Sequence, residues 1–240
     1  MPSEPVENYL KAIFSLGLES GTGEAGVGRL AAIVGVTAGT ATSMVRRLAR
    51  EGLATFRRYG GVRLTPRGRR AAADVIRRHR VLETFLVSVV GMDWAEVHEE
   101  AERLEHAVSP RLIDRLDHML GRPRFDPHGD PIPDAQGVVL SGGGTPLAAC
   151  HAGDQVRLVR IADQRADILR FLAGAGLVPG ASITIRSIQP GADAMTVRAG
   201  RKSPVSLSLA TAGRIIVEPG RARSPARTAR GARRGQHPTP

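Results

Sequence analysis

Residues 27–64 hold two short helical runs, a glycine turn between them, and then two strand-like runs around a second glycine turn. Few folds accept that order. Val27 to Val34 (VGRLAAIV) reads as a short helix, and Gly35 and Val36 make a turn. Thr37 is placed to cap a second helix over Ala38 to Glu51, which Gly52 closes. Two short helices joined by a tight glycine turn form a helix-turn-helix. Leu53 to Arg57 then alternates like a strand, Tyr59-Gly60-Gly61 turns, and Val62 to Leu64 returns. A hairpin directly after the second helix is a wing. Upstream, residues 6–18 set Val6, Tyr9, Leu10, Ile13, Phe14 and Leu16 on roughly one helical face. The expectation for residues 1–73 is a winged helix-turn-helix domain.

Such a domain reads duplex DNA when its second helix is slim at the start and cationic further along. Thr37, Ala38, Gly39, Thr40, Thr42 and Ser43 are all small, so this end fits a major groove. Arg46, Arg47 and Arg50 follow, at a distance suited to phosphates. Ala41, Met44, Val45 and Leu48 fall on the opposite, core-facing side. Arg57, Arg58 and Arg63 would lie on the wing. Arginines on a helix are often only a solvated face, but a wing beside them favours operator DNA as the partner. The charge agrees: the net charge is +11, and residues 1–73 carry +6 of it.

Residues 74–140 reverse the sign, at −5, and hold five of the seven histidines: His79, His98, His106, His118 and His128. Thr65-Pro66 opens a long helix to about Val90. Asp93 to Glu96 resembles a capping box opening a helix to about Val108, and Ser109-Pro110 opens another that ends at Gly121. His79 and Glu83 are four apart and share a face. At 100° per residue, His98, Glu102, Glu105 and His106 share an arc of roughly 100°. One such pair is ordinarily surface decoration, but two sets on consecutive helices describe a metal site. Imidazole and carboxylate without thiolate suit Mn²⁺, Fe²⁺ or Zn²⁺, and carboxylate-rich sites shift the balance toward harder Mn²⁺. The zinc-protease pattern fails, because His98-Glu99-Glu100-Ala101 is followed by Glu102. With no nucleophile motif or phosphate loop alongside, the site reads as a sensor, not an enzyme.

The rest of the chain narrows the class. A single cysteine, Cys150, excludes a disulfide framework within the chain and a multi-cysteine metal site. No apolar run is long enough for a membrane span, and the polar start is unlike a signal peptide, so a soluble, cytoplasmic protein is expected. Residues 122–147 are rich in Pro and Gly, with a turn near Asp126 to Pro133 where His128 could bind metal but reads rather as a turn residue, and residues 141–152 form a linker. Short strands at Gln155–Ile161, Ser182–Ile188, Met195–Arg198, Val205–Leu209 and Arg214–Val217, with a helix near Ala166–Leu172, predict a small β-barrel over residues 153–218. Residues 219–240 carry six Arg and no acid, and should be disordered. The fold class is mainly α with a small β part.

RLAAIVGVTAGTATSMVRRLAREGL, YGGVRLTPRGRR, RRHRVLETFLVSVVGMDWAEVHEEAERLEHAVS and DPHGDPIP together resemble the metal-dependent repressors of the diphtheria-toxin-repressor and manganese-transport-regulator family, over residues 6 to about 218. The resemblance implies a winged helix-turn-helix, a helical dimerisation domain and an SH3-like, FeoA-like barrel. It implies a homodimer whose DNA affinity rises with Mn²⁺ or Fe²⁺. One family site matches His79, Glu83 and His98, with Asp163 as the candidate barrel carboxylate. The other matches Asn8, Glu102, Glu105 and His106. Glu at position 102 leans toward manganese. This chain departs from the family pattern in carrying neutral Asn8, and Lys11 where some manganese members have a carboxylate. Ser43 replaces the Gln of iron-type members, so their operator does not transfer. Outside the family, a winged-helix regulator answering an organic effector is the alternative, with the His/Glu set merely structural.

Overall fold

The computed structural model describes residues 3–57, 61–139 and 143–220. Helix α1 (Glu4–Glu19) starts with Pro5 and keeps Glu4 and Glu7 in its first turn, where the helix dipole favours acids. Helix α2 (Val27–Val34) ends on Gly35 at φ 73°, a left-handed conformation that glycine adopts at no steric cost. Helix α3 (Ala38–Arg50) is capped as the sequence predicts, with the Thr37 side chain accepting from Thr40 N. Strands β1 (Ala54–Arg57) and β2 (Gly61–Leu64) pair antiparallel, Thr55 opposite Arg63. Leu10, Ile13, Leu16, Leu30, Val45, Leu48 and Val62 form one buried core beneath these elements. Each such side chain contributes about 1.5–3 kcal/mol by leaving water. The wing turn at Arg58, Tyr59 and Gly60 lies outside the described residues.

Helix α4 (Pro66–Phe85) begins at a Thr65 cap and runs straight out of the wing. A Cβ on Gly68 would sit 1.8 Å from the Leu53 carbonyl oxygen, so only glycine lets α4 start against the winged domain. A π-helical turn, Leu86–Val90, continues it to Gly91. Helix α5 (Val97–Leu104) is shorter than its expected reach from Asp93 to Val108. Asp93 Oδ1 does accept from Ala95 N at 2.8 Å, but Glu96 pairs outward with Arg170 at 2.6 Å, so the reciprocal capping box does not form. At the other end residues 105–107 are turns. Helix α6 (Pro110–Met119) is capped by Ser109. Val81, Leu82, Ala101, Ile113 and Ile132 pack as the second core.

The C-terminal part is a six-stranded antiparallel sheet in the order β3-β8-β4-β5-β6-β7. Its strands are β3 (Thr145–Pro146), β4 (Gln155–Ile161), β5 (Ser182–Gln189), β6 (Ala194–Ala199), β7 (Val205–Leu207) and β8 (Ile215–Pro219). Helix α7 (Ala166–Gly174) lies between β4 and β5, and α8 (Leu209–Gly213) between β7 and β8. Residues 145–149, expected as linker, join the sheet through β3, and Leu147 is fully buried in its core. Helix α8 was not expected from the sequence, which reads 205–209 as one strand; the Ser208 side chain accepts from Thr211 N and starts the helix instead. Residues 221–240, most of the expected tail, lie outside the described residues.

The loop Asp126–Pro131 fastens this sheet to α4. Asp126 Oδ1 accepts from His128 N and Asp130 N at 2.8 and 2.9 Å, the Asx turn that such a sequence favours. The His128 carbonyl accepts from Ile161 N at 2.9 Å. Gly129, at φ +89°, approaches so closely that a Cβ would meet the Val159 oxygen at 2.0 Å. Trp94 and Ala95 pack into the sheet's own core.

Candidate metal centre

The i to i+4 spacing on α4 brings His79 Nε2 to within 2.9 Å of Glu83 Oε1. Packing of α5 on α4 adds His98, whose Nδ1 is 3.2 Å from the same oxygen and 3.0 Å from His79 Nε2. Glu83 is fully buried, His79 nearly so, and His98 about one-third exposed. Three donor atoms this close match the spacing of about 3 Å between neighbouring ligands of a cation with bonds near 2.1 Å. The other face of Glu83 meets the Asp126 loop. His128 Nδ1 is 3.8 Å from Glu83 Oε2, and Glu83, Asp126 and His128 form a second group of convergent donors. Glu83 Oε2, Asp126 Oδ2 and His128 Nδ1 are buried without a hydrogen-bond partner. His128 Nε2 lies 2.8 Å from the Trp94 carbonyl oxygen, to which it donates. When the ring is neutral that bond leaves the Nδ1 lone pair free, the arrangement in which imidazoles ligate metals; burial lowers the His128 pKa, but Glu83 and Asp126 raise it further, so a proton competes for Nδ1. Both donor sets therefore fit a divalent cation.

The electrostatics are those of a concentrated negative pocket. Burial works against an imidazolium at His79, but the Glu83 carboxylate and the hydrogen bonds to Glu105 and Glu83 prevail over burial and Lys11, and its pKa stands at about 9. Burial would raise Glu83, yet His79 and the other imidazoles hold it well below the usual carboxylate range. Asp126 is pushed up to about 7 by burial and by the neighbouring charges of Glu83 and Asp130. Arg80 Nε lies 3.5 Å from Asp126 Oδ2 and offsets part of this charge.

Residues 1–62 match the family described as "Iron dependent repressor, N-terminal DNA binding domain", residues 65–134 "Iron dependent repressor, metal binding and dimerisation domain", and residues 145–219 "FeoA domain". The iron-dependent repressor IdeR of Mycobacterium tuberculosis is 32% identical over 207 residues, covering 78% of this chain and 86% of that protein. The chain belongs to the iron-dependent repressor family. A second relative of this repressor, the HTH-type transcriptional regulator MntR of Listeria welshimeri, is 32% identical over 132 residues, covering 55% of the chain and 89% of that protein. A solved structure titled "Manganese-dependent transcriptional repressor complex with manganese" superposes with a TM-score of 0.81 at 39% identity, covering 89% of this chain and 99% of that one. The chain is thus a metal-dependent, DNA-binding transcriptional repressor with a dimerisation domain.

The structure of this repressor arranges the remaining expected ligands differently. Lys11, on α1, points its ammonium at Glu102 and Glu105; its Nζ pairs with Glu102 Oε1 and lies 3.1 and 3.0 Å from the two oxygens of Glu105. Glu105 is fully buried and its Oε2 is also 2.6 Å from His79 Nδ1. Burial notwithstanding, His79 and then Lys11 lower the Glu105 pKa. His106, past the end of α5, bridges toward α1: its Nδ1 is 2.7 Å from Glu7 Oε2, while its Nε2 lies 3.5 Å from Glu105 Oε1. Asn8 is half-buried, and among the described residues no side-chain hydrogen bond joins it to the cluster. Asp163 is held by Arg165, at 3.0 Å from both Nε and Nη2, and belongs to none of the convergent donor groups.

In α3, Thr37, Ala38, Gly39, Thr40, Ser43, Arg46, Arg47 and Arg50 are exposed, and Thr42 is half-buried with its hydroxyl donating to the Ala38 carbonyl at 2.8 Å. Ala41, Val45 and Leu48 are buried and Met44 packs beside them. Arg47 is engaged by Glu51 at 2.7 Å. Arg63 is not free on the wing, because its Nη2 donates to the Thr22 carbonyl at 2.7 Å. Arg58 lies outside the described residues.

Sequence reasoning passed over Glu7, Arg78 and Asp126, and treated His128 as a turn residue. Arg78 Nη2 lies 2.7 Å from Glu7 Oε1, so both oxygens of this buried acid are engaged across α1, α4 and the end of α5. The signal available was the pairing of His128 with two acids in a six-residue loop (DPHGDP).

Proposed function

We propose that this repressor answers to Mn²⁺, with Fe²⁺ as the competing ion, through a centre built around Glu83. His79, Glu83 and His98 would hold the ion on one side of that carboxylate, with Asp126 and His128 available on the other. The observation that carries the reading is the convergence of His79 Nε2, Glu83 Oε1 and His98 Nδ1 within 3.2 Å, on α4, which rises directly from the winged domain, and α5 packed against it. A bound divalent ion supplies the positive charge that lets buried carboxylates and neutral imidazoles sit together. The donors are thiolate-free, two carboxylates among three imidazoles, which suits Mn²⁺ or Fe²⁺, and Glu83 and Asp126 are the hard ligands that manganese takes. The MntR relative and the manganese-bound structure at 39% identity support the same choice.

The chain's own residues carry the signal. Glu83 links α4, α5 and the loop that seats the C-terminal sheet, so its partners fix three parts of the molecule relative to one another. Glu7 and Arg78 join α1 of the winged domain to α4, and His106 extends the link to the end of α5. Two recognition helices in a dimer must meet successive major grooves, about 34 Å apart, so small changes in this linkage alter DNA affinity strongly. Thr37, Ala38, Gly39, Thr40, Thr42 and Ser43 would face the bases, and Arg46 and Arg50 the phosphates. Val89, Val90, Leu112 and Met119 are exposed apolar side chains of the middle domain and suit contact with a second copy.

The test is DNA binding to a duplex selected from a random pool by the Mn²⁺-loaded protein. Affinity should rise at least about tenfold with Mn²⁺, and DNA should tighten Mn²⁺ binding by the same factor. Equal affinity with and without metal would overturn the proposal.

A further inference from the structure

In this chain the second family site, where His79, Glu102 and Glu105 converge closely enough to hold a metal, already contains a positive charge. Of its four matching residues, Asn8 brings no charge, His106 spends Nδ1 on Glu7 and keeps only Nε2, 3.5 Å from Glu105 Oε1, for a ligand, and Glu102 and Glu105 already share a cation. That cation is the Lys11 ammonium. It contacts Glu102, both oxygens of Glu105 and, at 3.3 Å, His79 Nδ1. Its side chain is only 19% exposed and Glu105 is 0% exposed, so the pair is shielded from the screening that weakens surface ion pairs. We infer that the Lys11 ammonium is a resident cation that takes the place of a second divalent ion between α1 and α5.

Three physical points support this. The donors around Nζ come from two helices of the middle domain, α4 and α5, together with the turn that follows α5, while Lys11 itself comes from the winged domain; a divalent ion bound there would bridge the same elements. An ammonium supplies three donors and one charge, and here it meets two carboxylates, so most of its hydrogen-bonding capacity is met by the pocket. A divalent ion entering the pocket would have to expel this ammonium from between two carboxylates, losing their contacts, with no charged group at position 8 to add to its own ligands. The consequence is a division of labour. The bridge from the winged domain to α5 is covalently supplied and always present, and responsiveness to metal is left to the Glu83 cluster. The inference rests on the Glu83 reading only for that last step.

The wild-type protein decides it. In crystals grown with Mn²⁺, anomalous difference density is expected beside Glu83 and absent between Glu102 and Glu105. An ion between Glu102 and Glu105, with Lys11 swung out, overturns the inference whatever happens at Glu83. A wild-type crystal with both positions empty would instead count against the proposed metal response and leave the Lys11 bridge standing. Lys11→Ala should bind one more Mn²⁺ per subunit than wild type by metal analysis after dialysis, and Lys11→Arg should bind no more. A folded Lys11→Ala that gains no ion also overturns the inference. If Lys11→Ala does not fold without metal, its recovery by Mn²⁺ but not by Mg²⁺ supports the inference, and failure of both ions to recover it counts against it.

Discussion

Glu83 Oε2 and His128 Nδ1 face each other at 3.8 Å, both buried and neither hydrogen-bonded. That separation is too long for a hydrogen bond and leaves two unpaired ligand atoms facing one space. With His79 and His98 on the opposite oxygen, Glu83 is the single group on which both donor sets depend. Glu83→Gln should therefore weaken Mn²⁺ binding more than either His98→Ala or His128→Ala. The expected ordering is a loss of more than about 100-fold for Glu83→Gln and about 10–100-fold for each imidazole. Isothermal titration calorimetry with folded, dialysed variants measures this. A Glu83→Gln protein that binds Mn²⁺ like wild type would remove Glu83 from the centre.

Under the proposed reading, metal binding at His79 competes with a proton. Its folded-state pKa of about 9 lies above the ordinary 6.5, so the charged ring stabilises the metal-free fold fully below pH 6.5. That contribution is lost as pH rises through 9. A metal ion needs the same ring neutral, so its apparent affinity should climb by up to about tenfold per pH unit across this window. Thermal melts under anaerobic conditions, at pH 6.5 to 8.5, should show the metal-free melting temperature falling while the Mn²⁺-induced increase grows. An Mn²⁺ affinity that does not change over this range would contradict a protonated His79.

Much of this was legible in the sequence because it rests on local rules. Helical periodicity and the Thr37 cap located α3, and the spacing of four between His79 and Glu83 placed them on one face. The arc over His98, Glu102, Glu105 and His106 held only in part, since it assumes an unbroken helix. α5 stops at Leu104, and the turn that follows sends His106 to Glu7. No periodicity rule foretells that stop. The partners of Glu7, Lys11 and His128 were illegible for a different reason. Each of these residues acts through a partner about 45 to 100 residues away in the chain, and a single sequence does not show which distant charge will face which.

Glu7 neutralises Arg78 and holds His106 in a nearly closed environment, with 4% of its side chain exposed. The Arg78–Glu7 contact is an ion pair without the alignment of a hydrogen bond. Removing the acid strands a buried guanidinium, a class of change that costs about 3–5 kcal/mol. Glu7→Ala should lose that much by urea denaturation, in the metal-free and Mn²⁺-loaded protein alike. Arg78→Met together with Glu7→Leu should recover a large part of it, because burying no charge is cheaper than burying one alone. A loss below about 1 kcal/mol in the single variant would mean that solvent reaches Arg78.

Under the proposed reading, the exposed face of α3 separates groups that grip the DNA backbone from those that read sequence. Among the described residues Arg46 and Arg50 have no ion-pair partner, whereas Arg47 is held by Glu51 at 2.7 Å. Arg50→Ala should weaken binding to all duplexes alike and reduce the slope of log Kd against log salt by about one. Arg47→Ala should do less, because part of its charge is already spent on Glu51. Ser43 and Thr40 stand near the slim end of the helix, so replacing either with Ala should cost about 1–3 kcal/mol on the selected duplex and little on unrelated DNA. Fluorescence anisotropy at several salt concentrations, on both kinds of duplex and with Mn²⁺ present, distinguishes the two behaviours. A uniform loss for Ser43→Ala, or a sequence-dependent one for Arg50→Ala, would reverse the assignment of these side chains.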